Sequence, residues 1–408
     1  MTLEKIPCIE LNRQADKRLK ERHPWVFSNE VADMKRIQRL DPGALVDVLD
    51  CHGNYVGTGF TNANSLIAVR ILSRDREEHL DEAFFVKRFR TAIALRERFY
   101  GKDTPARGTY RAIFGESDTL PGLIVDRFGS TWVIEPHALG MAVLHKTLTS
   151  ALVQAATEEL GAEACAAIVL RTDNRAAQLE GMEKRAELVY GEFPKAGVFA
   201  VEGDIHIPVS PLEGQKTGFF FDQRENRAAF IRALPKKTYV LDAYCHLGAW
   251  GLQALAAGAL SVTFVDQSET ALATVKKVAT ERGWISRCTF LQGDAMTLLK
   301  ELPAGSFNAI ALDPPAFITS KKTVIPGLKA YAENNAVAIR LLRAGGILST
   351  SSCSYHCEEE RFESIVGRAA TDAGRTPKVL YRGAAAWDHP FIAGMQESRY
   401  LKNLLLVI

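Results

Sequence analysis

From about residue 200 onward, short apolar runs alternate with longer segments that are apolar on one side only. The runs at 239–244, 261–266, 288–294, 307–313 and 346–351 read as strands, and 249–257, 269–282 and 332–343 carry helical spacing. Repeated βα units of this length predict a parallel sheet covered on both faces. Ligands of such sheets sit beyond the carboxyl ends of the strands.

The first seventy-odd residues follow a different pattern. Strands are predicted over 44–50, 55–60 and 66–72, separated by turn residues such as C-H-G-N (51–54). Ahead of them, R-Q-A-D-K-R-L-K-E-R-H-P-W (13–25) is dense in Arg and Lys. Such a run is either a solvated helix face or a phosphate-binding surface, with Lys17, Arg18, Lys20 and Arg22 as the contacts. A polar segment (73–82) leads into a helix with one apolar side over 84–99. Strands over 111–114, 120–129, 131–135 and 166–171 and a helix over 141–156 complete a middle region that carries no recognisable chemistry. The predicted domains are therefore 1–75, β-rich; 76–200, α+β; and 201–408, α/β.

Composition narrows the class without deciding it. Apolar residues make up 47% and charged residues 24% of the 408, as in ordinary globular proteins. No apolar run reaches the roughly 20 residues a membrane span needs, and the N-terminus lacks the pattern of a signal peptide. The seven cysteines are scattered, with no C-x-x-C pair. They predict neither a disulfide framework nor a thiolate metal site, and reduced cytoplasmic thiols are expected. A net charge of +2 does not by itself call for nucleic acid, so any polyanion must be held by local clusters.

Chemistry gathers at the strand ends. The first α/β strand runs into D-A-Y-C-H-L-G-A-W-G (242–251), whose glycine-containing turn lets backbone approach a ligand; Asp242 there can face the cationic end of an amino acid. Asp266 ends the second strand, where a carboxylate can accept both ribose hydroxyls. Gly293-Asp294 ends the third, placed to meet an adenine amino group. A single Asp at a strand end is commonly a turn or N-cap residue. Three in order after a glycine loop point to S-adenosylmethionine rather than a nicotinamide dinucleotide. The fourth strand ends in D-P-P-A-F (313–317), where two prolines stiffen the loop behind Asp313. An aromatic ring directly after D-P-P would suit amine methylation; here Ala316 intervenes before Phe317.

The fifth strand delivers Cys353 in S-S-C-S-Y-H-C (351–357). A lone cysteine is usually a small core hydrophobe. At this strand end it reads instead as a nucleophile: a thiolate adding to C6 of cytosine makes C5 an enamine carbon able to take a methyl group. Asp313 is placed to bond or protonate N3 of that base. Cys357 is expected to cap or pack, and Cys245 to neighbour the cofactor without reacting.

On these motifs the chain resembles the RlmI-type class I methyltransferases of ribosomal RNA, along essentially its whole length. R-H-P-W-V-F-S (22–28), P-G-A-L-V-D-V-L-D (42–50) and Y-V-G-T-G-F (55–60) resemble that family's RNA-binding PUA domain. G-E-S-D-T-L-P-G-L-I-V-D-R-F-G (115–129) resembles its central domain, and G-Q-K-T-G-F-F-F-D-Q-R-E-N-R (214–227) is the most specific match. D-P-P-A-F, S-C-S and D-H-P (388–390) complete it. The implied fold is a Rossmann-like methyltransferase domain behind a PUA-like and a central α+β domain. The resemblance implies that Gln223, Asp242, Tyr244, Gly248, Asp266, Asp294 and Asp313 line the S-adenosylmethionine site. It implies further that Lys216 to Arg224 closes over the cofactor or the base, and that Cys353 and Asp313 act on a cytosine of large-subunit ribosomal RNA. Lys329 and Tyr331 would lie on the substrate side, with Tyr331 able to stack on a base. Y-C-H-L-G replaces the family's more usual Y-T-G, so the contacts of 244–248 do not carry over one by one.

Two other functions compete: methylation of another base atom such as guanine N7, and a non-catalytic RNA-binding assembly factor. S-C-S weighs against the first and the intact series of acids against the second. No metal is expected, and oligomeric state, a homodimer included, stays open.

Overall fold

A computed structural model describes residues 6–13, 15, 17–214 and 217–408. The chain forms two compact units. The first comprises Met1–Val201, Val209–Phe219 and Asp388–Met395; the second comprises Glu202–Pro208, Phe220–Trp387 and Gln396–Ile408.

The first unit contains two five-stranded sheets. In one, β1 (Cys8–Glu10), β2 (Trp25–Phe27), β3 (Leu45–Leu49), β4 (Tyr55–Thr61) and β5 (Ile67–Ser73) lie in the order β1-β3-β4-β5-β2. Gly59 is required where β4 meets β5: a Cβ there would sit 2.1 Å from the Arg70 carbonyl oxygen. The other sheet holds β6 (Thr109–Phe114), β7 (Leu123–Phe128), β8 (Thr131–Pro136), β9 (Ala167–Arg171) and β10 (Ala186–Gly191), ordered β10-β9-β8-β7-β6. The helices Glu82–Tyr100 and His145–Leu160 bury Phe85, Phe89, Ile93, Leu148 and Leu152 against it. Phe60 and Leu72, from the first sheet, belong to this same core.

After β11 (Phe199–Glu202) and β12 (Ile205–Pro208), the second unit builds a seven-stranded sheet. Its strands are β13 (Tyr239–Ala243), β14 (Ser261–Asp266), β15 (Cys288–Gln292), β16 (Phe307–Leu312), β17 (Leu342–Ser352), β18 (Lys378–Gly383) and β19 (Lys402–Val407), in the order β15-β14-β13-β16-β17-β19-β18. The five predicted strands pair parallel in this unit. Two strands that were not predicted extend this parallel sheet: β19 inserts antiparallel beside β17, and β18 pairs antiparallel with β19. The strand order reverses at β13, which has β14 on one side and β16 on the other, the usual place for a ligand crevice.

One helix also differs from its predicted limits. The segment expected to start at 332 is helical from Val324 to Leu341. The earlier start places Lys329 and Tyr331 on a helix.

Candidate active site

Asp242 is the fourth residue of β13, paired with Phe264 of β14 and Ala311 of β16, and has 0% exposure. Its Oδ2 accepts the Gly251 amide at 2.8 Å, while Oδ1 has no hydrogen-bond partner among the described residues. Burial pushes its carboxyl well above the usual range, and the charges of Asp313 and Asp266 push the same way.

The loop beyond β13 is tightly coiled. Tyr244, His246 and Gly248 take φ values of 61°, 48° and 72°, a cluster of left-handed residues of the kind that collects at ligand sites. A Cβ at Gly248 would lie 2.8 Å from the Val275 side chain, so only glycine lets the helix Ala249–Ala256 start here. The loop is anchored through Asp266, whose Oδ2 accepts the His246 amide and Oδ1 the Ser268 amide, both at 2.8 Å. Tyr244 donates its hydroxyl to Asn334 at 2.6 Å. Asp294 caps the helix Ala295–Glu301, accepting the Thr297 amide and hydroxyl at 2.8 Å each. These bonds hold its carboxyl below the usual range. Its cap role is compatible with a second acceptor role, because it is exposed.

Asp313 follows β16 and is half-buried. Its Oδ1 accepts Gln223 Nε2 at 2.8 Å and its Oδ2 faces Trp250 Nε1 at 3.4 Å. Loss of water, and next the Asp222 carboxylate, push its pKa up to about 6. The same Gln223 nitrogen donates to Ser351 Oγ at 3.0 Å, and Asn226 donates to Gln223 Oε1 at 2.7 Å. Gln223 thus ties the end of β16 to the end of β17. Leu312 pairs with Thr350, so Asp313 and Cys353 leave neighbouring strands at the same sheet edge.

Cys353 is half-buried, whereas Cys357 is 1% exposed inside the core and Cys245 is 4% exposed. Burial raises the thiols of both Cys245 and Cys357, which keeps them protonated and inert. Cys357 thus packs as expected, and Cys245 is buried at the start of the coiled loop. Among the described residues no disulfide joins the seven cysteines, and no group of three or more His, Cys, Asp or Glu could hold a metal ion. No helix among them is long and apolar enough to cross a membrane.

Tyr331 requires a correction. Its exposure is 0%, its ring packs against Phe317 and Phe362, and its hydroxyl shares a 2.8 Å bond with Ser354. A ring so enclosed cannot stack on a base; helix periodicity turns Tyr331 inward, whereas Lys329 remains exposed. Among the basic residues near the N-terminus, Lys17, Lys20 and Arg22 are exposed. Arg18 is engaged: Nη2 bonds Glu30 at 2.7 and 2.9 Å, and the guanidinium lies over Phe27. Lys216 lies outside the described residues. Of the rest of its segment, Thr217 bonds the Asp126 carboxylate within the first unit, while Asp222 accepts the Tyr400 hydroxyl at 2.5 Å in the second.

A PUA-like domain model matches residues 9–74, and the model described as conserved hypothetical protein 95 matches residues 223–360. Ribosomal RNA large subunit methyltransferase I of Tolumonas auensis is 35% identical, over 98% of this chain and 98% of that one. The protein of that name from Shewanella amazonensis is 36% identical over 97% and 98%. The chain belongs to the ribosomal RNA large subunit methyltransferase I family. A solved Streptococcus mutans chain assigned as a SAM-dependent methyltransferase shares the fold, with a TM-score of 0.80 at 17% identity over 99% of this chain and 100% of that one.

Within this family frame, four site residues were missed by sequence reasoning. Trp250 reaches Asp313 from the helix after the loop, and Asn334 holds the Tyr244 hydroxyl. Ser354, 1% exposed, joins three elements: Oγ accepts the Ile318 amide at 3.0 Å and bonds Tyr331, while its carbonyl accepts Lys402 Nζ at 2.6 Å. The motif D-P-P-A-F is thereby pinned to S-C-S. Lys402, on β19, is the fourth; a lysine heading an apolar strand gave no sign of it.

Proposed function

We propose that this chain is an S-adenosylmethionine-dependent methyltransferase that modifies C5 of a cytosine in ribosomal RNA, in the large subunit and in a cytoplasmic setting. The relatives' shared name supports the ribosomal substrate. The observation that carries the atom is the emergence of Cys353 and Asp313 from adjacent parallel strands, joined by the Gln223 bridge. The functional segments of this reading are 1–75 for RNA binding, 76–200 as the central domain and 201–408 for catalysis.

The residues present fit the cofactor. Asp242, Asp266 and Asp313 gather three carboxyl groups around the coiled loop, and a ligand bearing an ammonium and a sulfonium would favour their ionised forms. The Asp242 oxygen that has no partner among the described residues is a ready acceptor there. Gln223, Tyr244, Gly248, Asp266 and Asp294 complete the set that would hold it. When bound, S-adenosylmethionine supplies the methyl group.

The protein's part is covalent. Cys353 loses its proton, and the thiolate forms a bond to C6 of the base. Asp313, with its raised pKa, can hold a proton toward N3 as electron density moves onto the ring. Loss of the C5 proton to a base then breaks the C6–S bond and returns the thiolate. The target base must be single-stranded or turned out of its stack to reach such a site. Lys17, Lys20 and Arg22, with Lys329, are the proposed phosphate contacts.

The test is nucleoside mass spectrometry after reaction of unmodified ribosomal RNA with labelled S-adenosylmethionine. Label in 5-methylcytidine, lost in Cys353→Ala, is expected. Label in another nucleoside that survives the substitution would refute the cytosine assignment.

A further inference from the structure

Lys402 heads β19 and pairs across the strands with Ser352, the residue before Cys353. Its ammonium points along the turn, donating to the carbonyl of Ser354 at 2.6 Å and to that of Tyr400 at 2.7 Å. The Ser354 carbonyl also accepts the Cys357 amide at 3.1 Å. One lysine therefore fixes the backbone on the far side of the cysteine, with a third hydrogen left for its surroundings. It is half-buried, an expensive place for a cation unless something nearby gains from it.

We infer that Lys402 is a positioning residue for Cys353, clamping the S-C-S turn by its carbonyl and stabilising the Cys353 thiolate through its charge. Among the described residues the titratable groups around it include Cys353, Cys357 and Glu359, with Tyr331 against Cys353 and both Arg361 and Glu358 against Cys357. Burial lowers the lysine's own pKa, and negative charge on Cys357, Cys353 and Glu359 raises it. The coupling is reciprocal, so the ammonium favours each thiolate. Cys357 is 1% exposed, which leaves Cys353 as the sulfur a reagent or substrate can reach. The catalytic meaning of this device rests on the reading of Cys353 as the nucleophile.

The test needs neither RNA nor cofactor. Iodoacetamide alkylation of Cys353 in the full chain is followed against pH, with the modified peptide identified by mass spectrometry. Lys402→Met removes both charge and donors, Lys402→Gln keeps a donor, and Lys402→Arg keeps the charge. The Met and Gln variants should move the alkylation midpoint upward and slow the reaction near neutral pH by about tenfold, the equivalent of one pKa unit; Lys402→Arg should stay near the wild type. Should Lys402→Met fail to fold, Lys402→Gln decides. An unmoved midpoint in Lys402→Gln would overturn the inference. Methyl transfer surviving in Cys353→Ala would instead remove the nucleophile reading, with the alkylation result still standing as a property of the thiol.

Discussion

Asp126, in the first unit, has 0% exposure and is gripped by the Arg111 guanidinium at 2.7 and 2.8 Å, with the Thr217 hydroxyl bonded to the same carboxylate. Asp242, in the second, is equally buried, yet it has one backbone amide and an oxygen with no partner among the described residues. The contrast extends further. In the first unit Arg96 pairs with both oxygens of Asp118 and reaches the Asp388 carbonyl, while Glu180 receives Asn62, Ser65 and Arg70. In the second, Asp313 carries a raised pKa beside another carboxylate. Buried charges that are fully paired define a structure; buried charges left short of partners make a free protein less stable and are retained where a ligand completes them.

The largest effect should come from the second unit. Cys353→Ala is expected to reduce methyl transfer to background while leaving the thermal midpoint nearly unchanged, as read by labelled methyl incorporation and calorimetry. A retained rate would place Cys353 with the packing cysteines. Next, Asp313→Asn should slow the reaction by roughly 10²–10⁴-fold, the usual worth of a positioned acid or base.

The first unit should respond the opposite way. Arg96→Met strands Asp118 without its partner and should destabilise the fold by about 3–5 kcal/mol, seen in denaturant midpoints. Cofactor binding by the molecules still folded should be unaffected. Asp242→Asn, by contrast, should keep or raise stability and weaken S-adenosylmethionine binding in calorimetry. If both substitutions destabilised alike, the distinction between structural and ligand-facing carboxylates would fail.

A pH experiment sharpens the same contrast. Asp313 in the folded protein holds its proton to about pH 6, above the ordinary carboxylate value of 3.8. Between these values the folded state binds more protons than the unfolded one, so this group's contribution to stability falls as pH rises from about 4 to 6. Below that window the acid is protonated in both states. Wild type minus Asp313→Asn should show this slope; a flat difference would mean that Asp313 is not perturbed. The smallest effect is expected at Lys17 and Lys20: reversing both should weaken RNA binding and reduce its salt slope by about 0.7 per lost contact.

Much of the sheet was legible because βα repetition leaves both a hydrophobic period and polar strand ends in the chain. Asp242, Asp266, Asp294, Asp313 and Cys353 could be numbered in advance for that reason. The β18–β19 return was not legible: K-N-L-L-L-V (402–407) is an apolar run whose direction depends on the strand it meets. Tyr331 misled because an aromatic in a polar stretch looks exposed until the helix register is known. D-H-P was visible as a motif but not as a clamp, in which Asp388 receives the Arg111 amide at 3.0 Å and bonds His389.

Local order of residues determined which acids and which cysteine end the strands, since that needs only secondary structure and its period. Tertiary structure alone decided their partners. Gln223 spans to residues 90 and 128 positions away, and Lys402 reaches back 48 to Ser354. Contacts at that separation come from sheet order, and it is they that leave one carboxylate satisfied, another with an oxygen that has no partner among the described residues, and a lysine bonded to the turn that carries Cys353.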